Sequence, residues 1–288
     1  MDTDDPLLQM FVEMPTSITR WFLDTNAWGH ILENEERTKG FIQFFSETNH
    51  LAGLTIYSLF ELSRAERLLP GLDDLFFQLR HNIWVPLLYD YVYERELQAY
   101  PSRIHIPWMP ISLLTEEDEG VPSVMSNFAA DSRFTSQRDK YLQFGEKYFM
   151  SLGRFKRNFP QKVSEGYTPE EAFEFARLNG LNYFRRNDKS FIHKIDHGPA
   201  SFEPRGIQSQ FARSIFLFYK FYIHGKSPNK SDFMDFANIS YLPYFDVYVT
   251  EWDVLNTLKH IKTSTDFMKG LNPQHVSGFV KGLVRLNG

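Results

Sequence analysis

RWFLDTNAWGHILE, residues 20–33, places a carboxylate directly after an apolar run and directly before a helical pattern. Trp21, Phe22 and Leu23 are typical of the end of a buried strand. The apolar residues that follow are spaced like one face of a helix: Ala27, Trp28, Ile31 and Leu32. Asp24 therefore stands at a strand-to-helix turn, where an acid can cap the helix or bind a metal ion at the carboxyl end of a strand. The stretch alone leaves both interpretations open.

Three further segments show the same change from strand to helix and predict a parallel sheet. Residues 51–57, 83–88 and 246–250 are apolar or β-branched, and each is followed by a pattern with helical spacing. Strands separated by helices are typical of βαβ units. The sequence therefore predicts an α/β fold with a central, mostly parallel sheet flanked by helices.

The middle of the chain, residues 100–210, lacks this alternation. It opens with three prolines within residues 101–110, which predict a connector without regular structure. Long helical patterns follow, over a length far beyond that of an ordinary loop. The sequence therefore predicts a discontinuous α/β domain, residues 1–99 and 211–288, that carries a mainly helical insertion.

One helix of this insertion has clear signals at both ends. Thr168 and Glu171 match a capping box, with a proline at the first helical position. Asn179 and Gly180 form a typical stop signal. The predicted helix therefore runs from about residue 169 to residue 179.

Composition limits the class of protein. The chain has 288 residues and no cysteine, which excludes disulfides, cysteine-based zinc sites and thiol catalysis. The formal net charge of −5 provides no global attraction to nucleic acid, although a local basic patch can still bind it. The first ten residues, MDTDDPLLQM, are acidic where a secretory signal is basic, and no apolar run is long enough for a membrane span. We therefore expect a cytoplasmic protein.

Acidic residues follow several of the predicted strands. Asp24 follows the first strand, and Glu61 lies one helical turn beyond the second. The fourth strand is flanked by the remaining candidates: Asp232, Asp235, Glu251 and Asp253. Right-handed crossovers bring the carboxyl ends of parallel strands to one edge of a sheet, and carboxylates gathered there repel one another unless cations lie between them. One or two Mg²⁺ or Mn²⁺ ions suit such oxygen ligands. A pair of these ions can activate a water molecule and stabilise the leaving oxygen when a phosphodiester is hydrolysed.

Each acid also has a structural interpretation. Ser58 and Glu61 match a capping box. Asp232 and Asp235 fall in the first turn of a helix, where acids interact favourably with the helix dipole. Asp253 is compatible with a solvated helix surface. The metal interpretation is favoured only because separate segments place acids at the same predicted edge.

Three blocks of the sequence resemble the signature blocks of PIN-domain nucleases. They are FLDTNAW at 22–28, TIYSLFEL at 55–62 and DFANISYLPYFDVYVTEWD at 235–253. In that family an early strand ends in Asp, a Glu opens a helix after the next strand, and a third acid starts a helix before a strand that ends in VT. Asp235 lies fifteen residues before Thr250, as this pattern requires. The order and spacing of the three blocks carry the resemblance.

The resemblance covers about residues 1–99 and 211–288 and implies a PIN-like fold with endonuclease activity. It implies a hydrolase that cuts phosphodiester bonds, more in RNA than in DNA, with a metal-activated water. By the same resemblance, Asp24, Glu61 and Asp235 bind Mg²⁺ or Mn²⁺ as catalytic residues. Large helical insertions are not typical of the small members of the family.

The fourth acid of the family pattern is ambiguous in this chain. The family places an acid one or two residues after the Thr that ends the strand, whereas here Glu251 follows Thr250 directly and Asp253 comes three residues after it. Asp253 has the residue type of the family and is the first choice, with Glu251 second. Asp246 starts the same strand, so we expect it at the opposite edge of the sheet in a structural role.

Basic residues at two places are candidates for contacts with nucleic acid. Arg64 follows Glu61 by about one helical turn and can face a scissile phosphate, although a structural ion pair explains it equally well. Arg154, Lys156 and Arg157 stand among phenylalanines, a mixture that suits phosphate neutralisation and base stacking. A solvated helix face with its phenylalanines turned inward is the alternative for this segment.

Two other functions compete with the nuclease. A non-catalytic PIN-like scaffold could use the helical insertion to bind a protein partner, an inhibitor or a nucleic acid. A plain helical interaction module would lack a parallel sheet altogether. The acid set favours the nuclease over both.

Overall fold

The computed structural model describes residues 9–114, 123–158, 167–193, 195, 198–229 and 232–286. Within the described helices, it does not describe the side chains of residues 114, 146, 149–158 and 187. In these ranges no helix combines the length and the apolar character that crossing a lipid bilayer requires.

A six-stranded sheet forms the centre of the molecule. Its strands are β1 (Thr19–Leu23), β2 (His50–Gly53), β3 (Ile83–Pro86), β4 (Trp108–Pro110), β5 (Val247–Thr250) and β6 (Asn272–His275). Their order across the sheet is β4-β3-β2-β1-β5-β6. All neighbouring pairs are parallel except β3 and β4, which are antiparallel. The predicted α/β fold with a mostly parallel sheet is thus confirmed, and a plain helical module is excluded.

Helices surround this sheet. Those before the middle of the chain are α1 (Thr25–Leu32), α2 (Glu35–Glu47), α3 (Ile56–Leu62), α4 (Leu69–Gln78) and α5 (Tyr89–Ala99). The middle contains α6 (Val124–Ala130), α7 (Ser132–Asn158), α8 (Pro169–Asn187) and α9 (Lys189–Ile192). The last part contains α10 (Gln208–Phe218), α11 (Asp232–Ile239), α12 (Trp252–Ser264) and α13 (Val276–Leu286). A turn of π-helix, Tyr219–Ile223, continues α10.

The central strand β1 lies between β2 and β5, and its register aligns the ends of the strands. Phe22 is fully buried, stacks on Tyr248 of β5 at 5.0 Å, and contacts Phe245. Gly53 of β2 makes this packing fit, because a Cβ there would meet the Phe245 ring at 2.2 Å. Since Phe22 pairs with both Gly53 and Tyr248, the three strands end at nearly the same level.

The proline-rich segment at 101–110 was predicted to be a connector without regular structure. This prediction is wrong, because the segment contains β4. This strand lies at the edge of the sheet and pairs with β3 on one side. On its other side only Trp108 pairs, through two backbone hydrogen bonds of 2.8 Å with Val12. Edge strands tolerate proline because one row of their N–H groups needs no partner in the sheet. The division into residues 1–99 with 211–288 and an insertion at 100–210 stays a prediction.

The helix that starts with the capping box is longer than predicted. Thr168 and Glu171 form the predicted box, which confirms the start of α8. The helix nevertheless continues past Asn179 and Gly180 to Asn187. Gly180 lies against the ring of Phe202, where a Cβ would stand 3.0 Å from a ring carbon. Gly180 therefore allows close packing inside the helix, although in the sequence it looks like a stop signal.

Candidate active site

Asp24 lies at the carboxyl end of β1 and has two different hydrogen-bond partners. One carboxylate oxygen accepts a bond of 2.7 Å from the backbone N–H of Thr25, so Asp24 caps α1. The other accepts a bond of 2.9 Å from the hydroxyl of Thr250, which ends β5. Asp24 is buried, with 7% of its surface exposed. The two interpretations of this acid are therefore compatible, because capping the helix also fixes the carboxylate at the sheet edge.

Glu61 reaches the same place from α3. This helix is capped by Thr55, whose hydroxyl accepts a bond of 3.1 Å from the backbone N–H of Ser58. The capping box of Ser58 and Glu61 does not exist, because β2 ends at Gly53 and the helix starts earlier than the sequence indicated. Glu61 instead lies in the last turn of α3, where its carboxylate accepts a bond of 2.5 Å from the hydroxyl of Thr25.

Three carboxylates of the site interact with one another. Burial and, to a smaller extent, the nearby charge of Glu61 raise the pKa of Asp24 to about 7. Burial likewise raises the pKa of Glu61 to about 7, with a smaller contribution from Asp235. The pKa of Asp235 is also raised to about 7 by burial and by the charge of Asp24. Asp24, Glu61 and Asp235 therefore form one electrostatically coupled group, although they come from three separate elements.

A buried lysine forms ion pairs with the other acids of the region. The ammonium of Lys220 lies 2.7 Å from Asp232, 3.4 Å from Asp235 and 3.4 Å from Asp253. Lys220 is only 3% exposed. Burial alone would lower its pKa, but the three carboxylates outweigh this effect and raise it. Asp235 belongs to both groups, since it contacts the lysine and also raises the pKa of Glu61.

Sequence reasoning missed Lys220. It lies in the π-helical turn that continues α10, and such turns often occur at functional sites. The signal that could have found it is a lysine in the middle of SIFLFYKFYI, the most apolar run of the chain. A charge in such a run needs a buried partner of opposite sign.

The two candidates for the fourth acid have different surroundings. Asp253 forms ion pairs with Lys220 and Lys226; burial opposes its ionisation, but the two lysines outweigh this and lower its pKa. Glu251 is exposed and accepts a bond of 2.8 Å from the side-chain amide of Asn26. The charge of Glu251 contributes to the raised pKa of Asp24. Glu251 therefore lies near Asp24 and its coupled carboxylates. Asp253 instead belongs to the set of acids that pair with Lys220.

The oxygen donors suit a hard divalent ion. In the part of the chain that the structure describes, no group of three or more His, Asp or Glu side chains is arranged to hold a metal ion. Mg²⁺, however, is commonly bound by one or two carboxylates together with water and phosphate oxygens. Asp24 and Glu61, with Asp235 beside them, offer such a set. Their pKa values are raised because burial and mutual repulsion disfavour the ionised forms. A cation beside them would stabilise these ionised forms.

Asp246 lies away from this group, as expected for a residue that starts β5. Its carboxylate accepts bonds of 2.8 and 3.0 Å from the backbone N–H and Nε of Arg20, and a further bond of 3.0 Å from a terminal nitrogen of the same guanidinium. The pair joins the beginnings of β1 and β5 at the opposite edge of the sheet. Asp246 thus stabilises the sheet and is not part of the site.

The basic candidates are only partly placed. Arg64 is exposed, and its charge lowers the pKa of Glu61, so it lies near that carboxylate. Arg154, Lys156 and Arg157 lie in the last turns of α7, but their side chains are outside the described residues. Their predicted contact with nucleic acid stays a prediction.

Comparison of the chain with protein-family models, with curated proteins and with solved structures finds no match. The resemblance to PIN-domain nucleases therefore rests on the three sequence blocks alone and stays a prediction. Asp24, Thr25, Glu61 and Thr250 are joined by hydrogen bonds in a single network.

Proposed function

We propose that this chain is a metal-dependent nuclease that hydrolyses phosphodiester bonds, in RNA more readily than in DNA. The observation that carries the proposal is the coupling of Asp24, Glu61 and Asp235, whose pKa values are all raised to about 7. Strongly perturbed acids that share one edge of a parallel sheet are typical of functional sites. The preference for RNA rests on the family resemblance alone.

In this proposal Asp24, Glu61 and Asp235 hold Mg²⁺ or Mn²⁺. Such an ion activates water and stabilises charge on phosphate oxygens. The hydroxyls of Thr25 and Thr250 orient the carboxylates of Glu61 and Asp24, since each donates one short hydrogen bond. No side-chain nucleophile is required, because water adds to phosphorus, the bond to the leaving oxygen breaks, and that oxygen takes up a proton.

Lys220 supports a site with a single ion. The ammonium groups of Lys220 and Lys226 together balance the charges of Asp232 and Asp253, so the charges of Asp24, Glu61 and Asp235 are left for a further cation. Lys220 also limits where Asp235 can turn, because its Nζ lies 3.4 Å from that carboxylate. We therefore propose one divalent ion, with Lys220 as a fixed positive charge beside it.

A cleavage assay tests the proposal. Labelled single-stranded RNA, transfer RNA and single-stranded DNA are incubated separately with the protein in Mg²⁺, Mn²⁺ or chelator. Cleavage of at least one RNA with metal and none with chelator is expected, and Asp24→Asn should abolish it. Cleavage that persists in chelator, or an Asp24→Asn variant as active as the parent, would show that the proposed site does not catalyse the reaction.

One observation favours the alternative of a non-catalytic scaffold. Lys220 lies among three carboxylates and provides a positive charge without any metal ion. In a scaffold the remaining acids, Asp24 and Glu61, would serve only to fix α1 and α3 at the sheet. A scaffold of this kind would not be stabilised by Mn²⁺, whereas a metal site binds the ion in the native state and raises the melting temperature.

A further inference from the structure

A large cleft lies beside the acidic site, between α7 and α8 of the middle segment and α3, α5, α10 and α11 of the flanking parts. Its volume is about 560 Å³, within the range of sites for small organic ligands. Most of the described residues that line it are tyrosines or phenylalanines; its charged residues are two arginines and one acid, Asp90. The cleft therefore combines aromatic surfaces with positive charge.

Arg213 is half-buried and provides positive charge in this cleft. Its guanidinium lies 4.8 Å from the ring centroid of Phe236 and 5.5 Å from that of Tyr89. A terminal nitrogen donates a long bond of 3.4 Å to the hydroxyl of Tyr89, while the buried Nε has no hydrogen-bond partner. Among the described residues, no carboxylate forms an ion pair with Arg213. Arg213 lines the cleft, so its positive charge attracts an anionic ligand that enters there.

The aromatic lining offers surfaces for stacking. Tyr141 stacks on Tyr57 with ring centroids 4.7 Å apart and contacts Phe233 at 4.8 Å. Phe144 lies on the same side and is 58% exposed, which is unusual for so large an apolar side chain. Flat apolar rings exposed in a basic cleft suit the faces of nucleobases.

The same two helices contribute to the cleft and to the acidic site. On α3, Tyr57 lines the cleft, and Glu61 follows it by four residues, about 6 Å along the helix axis. On α11, Phe233 and Phe236 line the cleft, while Asp235 belongs to the acidic group. A chain of nucleotides whose phosphate lies at the acids can therefore place a neighbouring nucleotide in the cleft.

We propose that this cleft binds one nucleotide of a single-stranded nucleic acid. The base stacks on the aromatic wall at Phe144, and the adjoining phosphate lies against Arg213 and Arg186. The proposal rests on the proposed function for the class of ligand, but the binding itself requires no metal ion. It also gives the middle segment a role, because α7 and α8 supply the wall and Arg186.

Binding of a short fluorescein-labelled single-stranded RNA, measured by anisotropy in chelator, tests the proposal. Phe144→Ala should weaken binding by about five-fold or more, as expected for the loss of one stacked base. The matched control is Phe77→Ala on α4, which removes an exposed phenylalanine outside the cleft and should leave the affinity unchanged. Both variants alter exposed side chains, so their melting temperatures should stay close to that of the parent.

Two neighbouring arginines test the phosphate contact. Arg185 and Arg186 are both exposed on α8, but only Arg186 lines the cleft. Arg186→Gln should flatten the dependence of log affinity on log salt by about 0.7 unit, the value for one phosphate contact with a single strand. Arg185→Gln should retain the parental slope.

Competition experiments define the ligand. Unlabelled nucleoside monophosphates should displace the labelled RNA, while inorganic phosphate and a duplex of the same sequence should compete poorly, because neither offers a free base. Equal affinities for Phe144→Ala and Phe77→Ala, equal slopes for the two arginine variants, or inorganic phosphate that competes as well as a nucleotide would overturn the proposal. Since binding is measured in chelator, a failure of the nuclease activity leaves these outcomes unaffected and is recognised separately by the absence of cleavage.

Discussion

The hydroxyl of Thr25 donates a hydrogen bond of 2.5 Å to the carboxylate of Glu61, which joins the first turn of α1 to the last turn of α3. The backbone N–H of the same threonine donates to Asp24. One residue thus positions two acids that are far apart in the sequence. In metal sites, groups that orient the ligands in this way are often as important as the ligands.

The first prediction concerns Thr25. Thr25→Val keeps the shape of the side chain but removes its hydroxyl, so Glu61 loses its bond and turns more freely. We expect metal-dependent cleavage to fall by roughly 10- to 100-fold. Thr25→Ser retains a hydroxyl, so its cleavage rate should stay within roughly a few-fold of that of the parent. Initial rates on labelled RNA decide, and similar rates for the valine and serine variants would contradict a positioning role.

The second prediction concerns pH. In the folded chain, burial and mutual repulsion raise the pKa of Asp24 to about 7 from an ordinary value of 3.8. Between these values the folded state binds more protons than the unfolded state, so the free energy of unfolding falls as pH rises. Without metal, the melting temperature should therefore decrease from pH 4 to pH 7 because of this group.

Asp24→Asn removes the titrating group and should make this decrease smaller. It should also raise the melting temperature at neutral pH in chelator. Asp74→Asn is a suitable control, since Asp74 is exposed and bonds only to Gln78 among the described side chains. If the pH dependence is the same in Asp24→Asn and Asp74→Asn, the coupling of the acids does not influence stability.

The third prediction concerns Lys220. Lys220→Met leaves the buried carboxylate of Asp232 without its partner at 2.7 Å. Loss of one member of a buried ion pair typically costs about 3–5 kcal/mol of unfolding free energy. Urea unfolding at neutral pH measures the loss, and Lys281→Met, which alters an exposed lysine, should change little.

Mn²⁺ should restore part of the stability of Lys220→Met, because an added cation can neutralise the released carboxylates. A variant as stable as the parent would mean that the three acids do not depend on this lysine for their charge balance. Lys220→Arg keeps the positive charge in a larger group, so its stability should fall between that of Lys220→Met and that of the parent.

The fourth prediction separates the two candidates for the fourth acid. Glu251 raises the pKa of Asp24, whereas Asp253 is held by Lys220 and Lys226. We therefore expect Glu251→Gln to weaken Mn²⁺ affinity more than Asp253→Asn does, and Asp253→Asn to lower stability more. Calorimetric titration with Mn²⁺ and thermal melting measure the two effects. An Mn²⁺ affinity equal to that of the parent in both variants would remove the fourth acid from the site.

The main features of the fold could be predicted because they depend on local patterns. The buried strands β1, β3 and β5 are apolar runs with helical patterns between them. This alternation of strands and helices predicts a parallel sheet. Two edge strands were not predicted. β6 has the sequence NPQH, which has no apolar alternation and contains a proline, so only its pairing with β5 makes it a strand.

The site was predictable where order along the chain determines position. Asp24 and Glu61 follow parallel strands, so topology alone brings them together. Lys220 could not be placed in this way, because its role depends on the π-helical turn and on three carboxylates from α11 and α12. The aromatic cleft beside the site depends on the packing of α7 and α8 against the rest of the chain, which no short sequence pattern encodes.

The most direct test of the central claim is the melting temperature of the parent and of Asp24→Asn during titration with Mn²⁺. A site formed by Asp24, Glu61 and Asp235 binds the ion in the folded state, so the melting temperature of the parent should rise with the logarithm of the Mn²⁺ concentration. The rise should be strongly reduced in Asp24→Asn and retained in the control Asp74→Asn. A melting temperature that does not respond to Mn²⁺, or that responds equally in all three proteins, would contradict a metal site at this edge of the sheet.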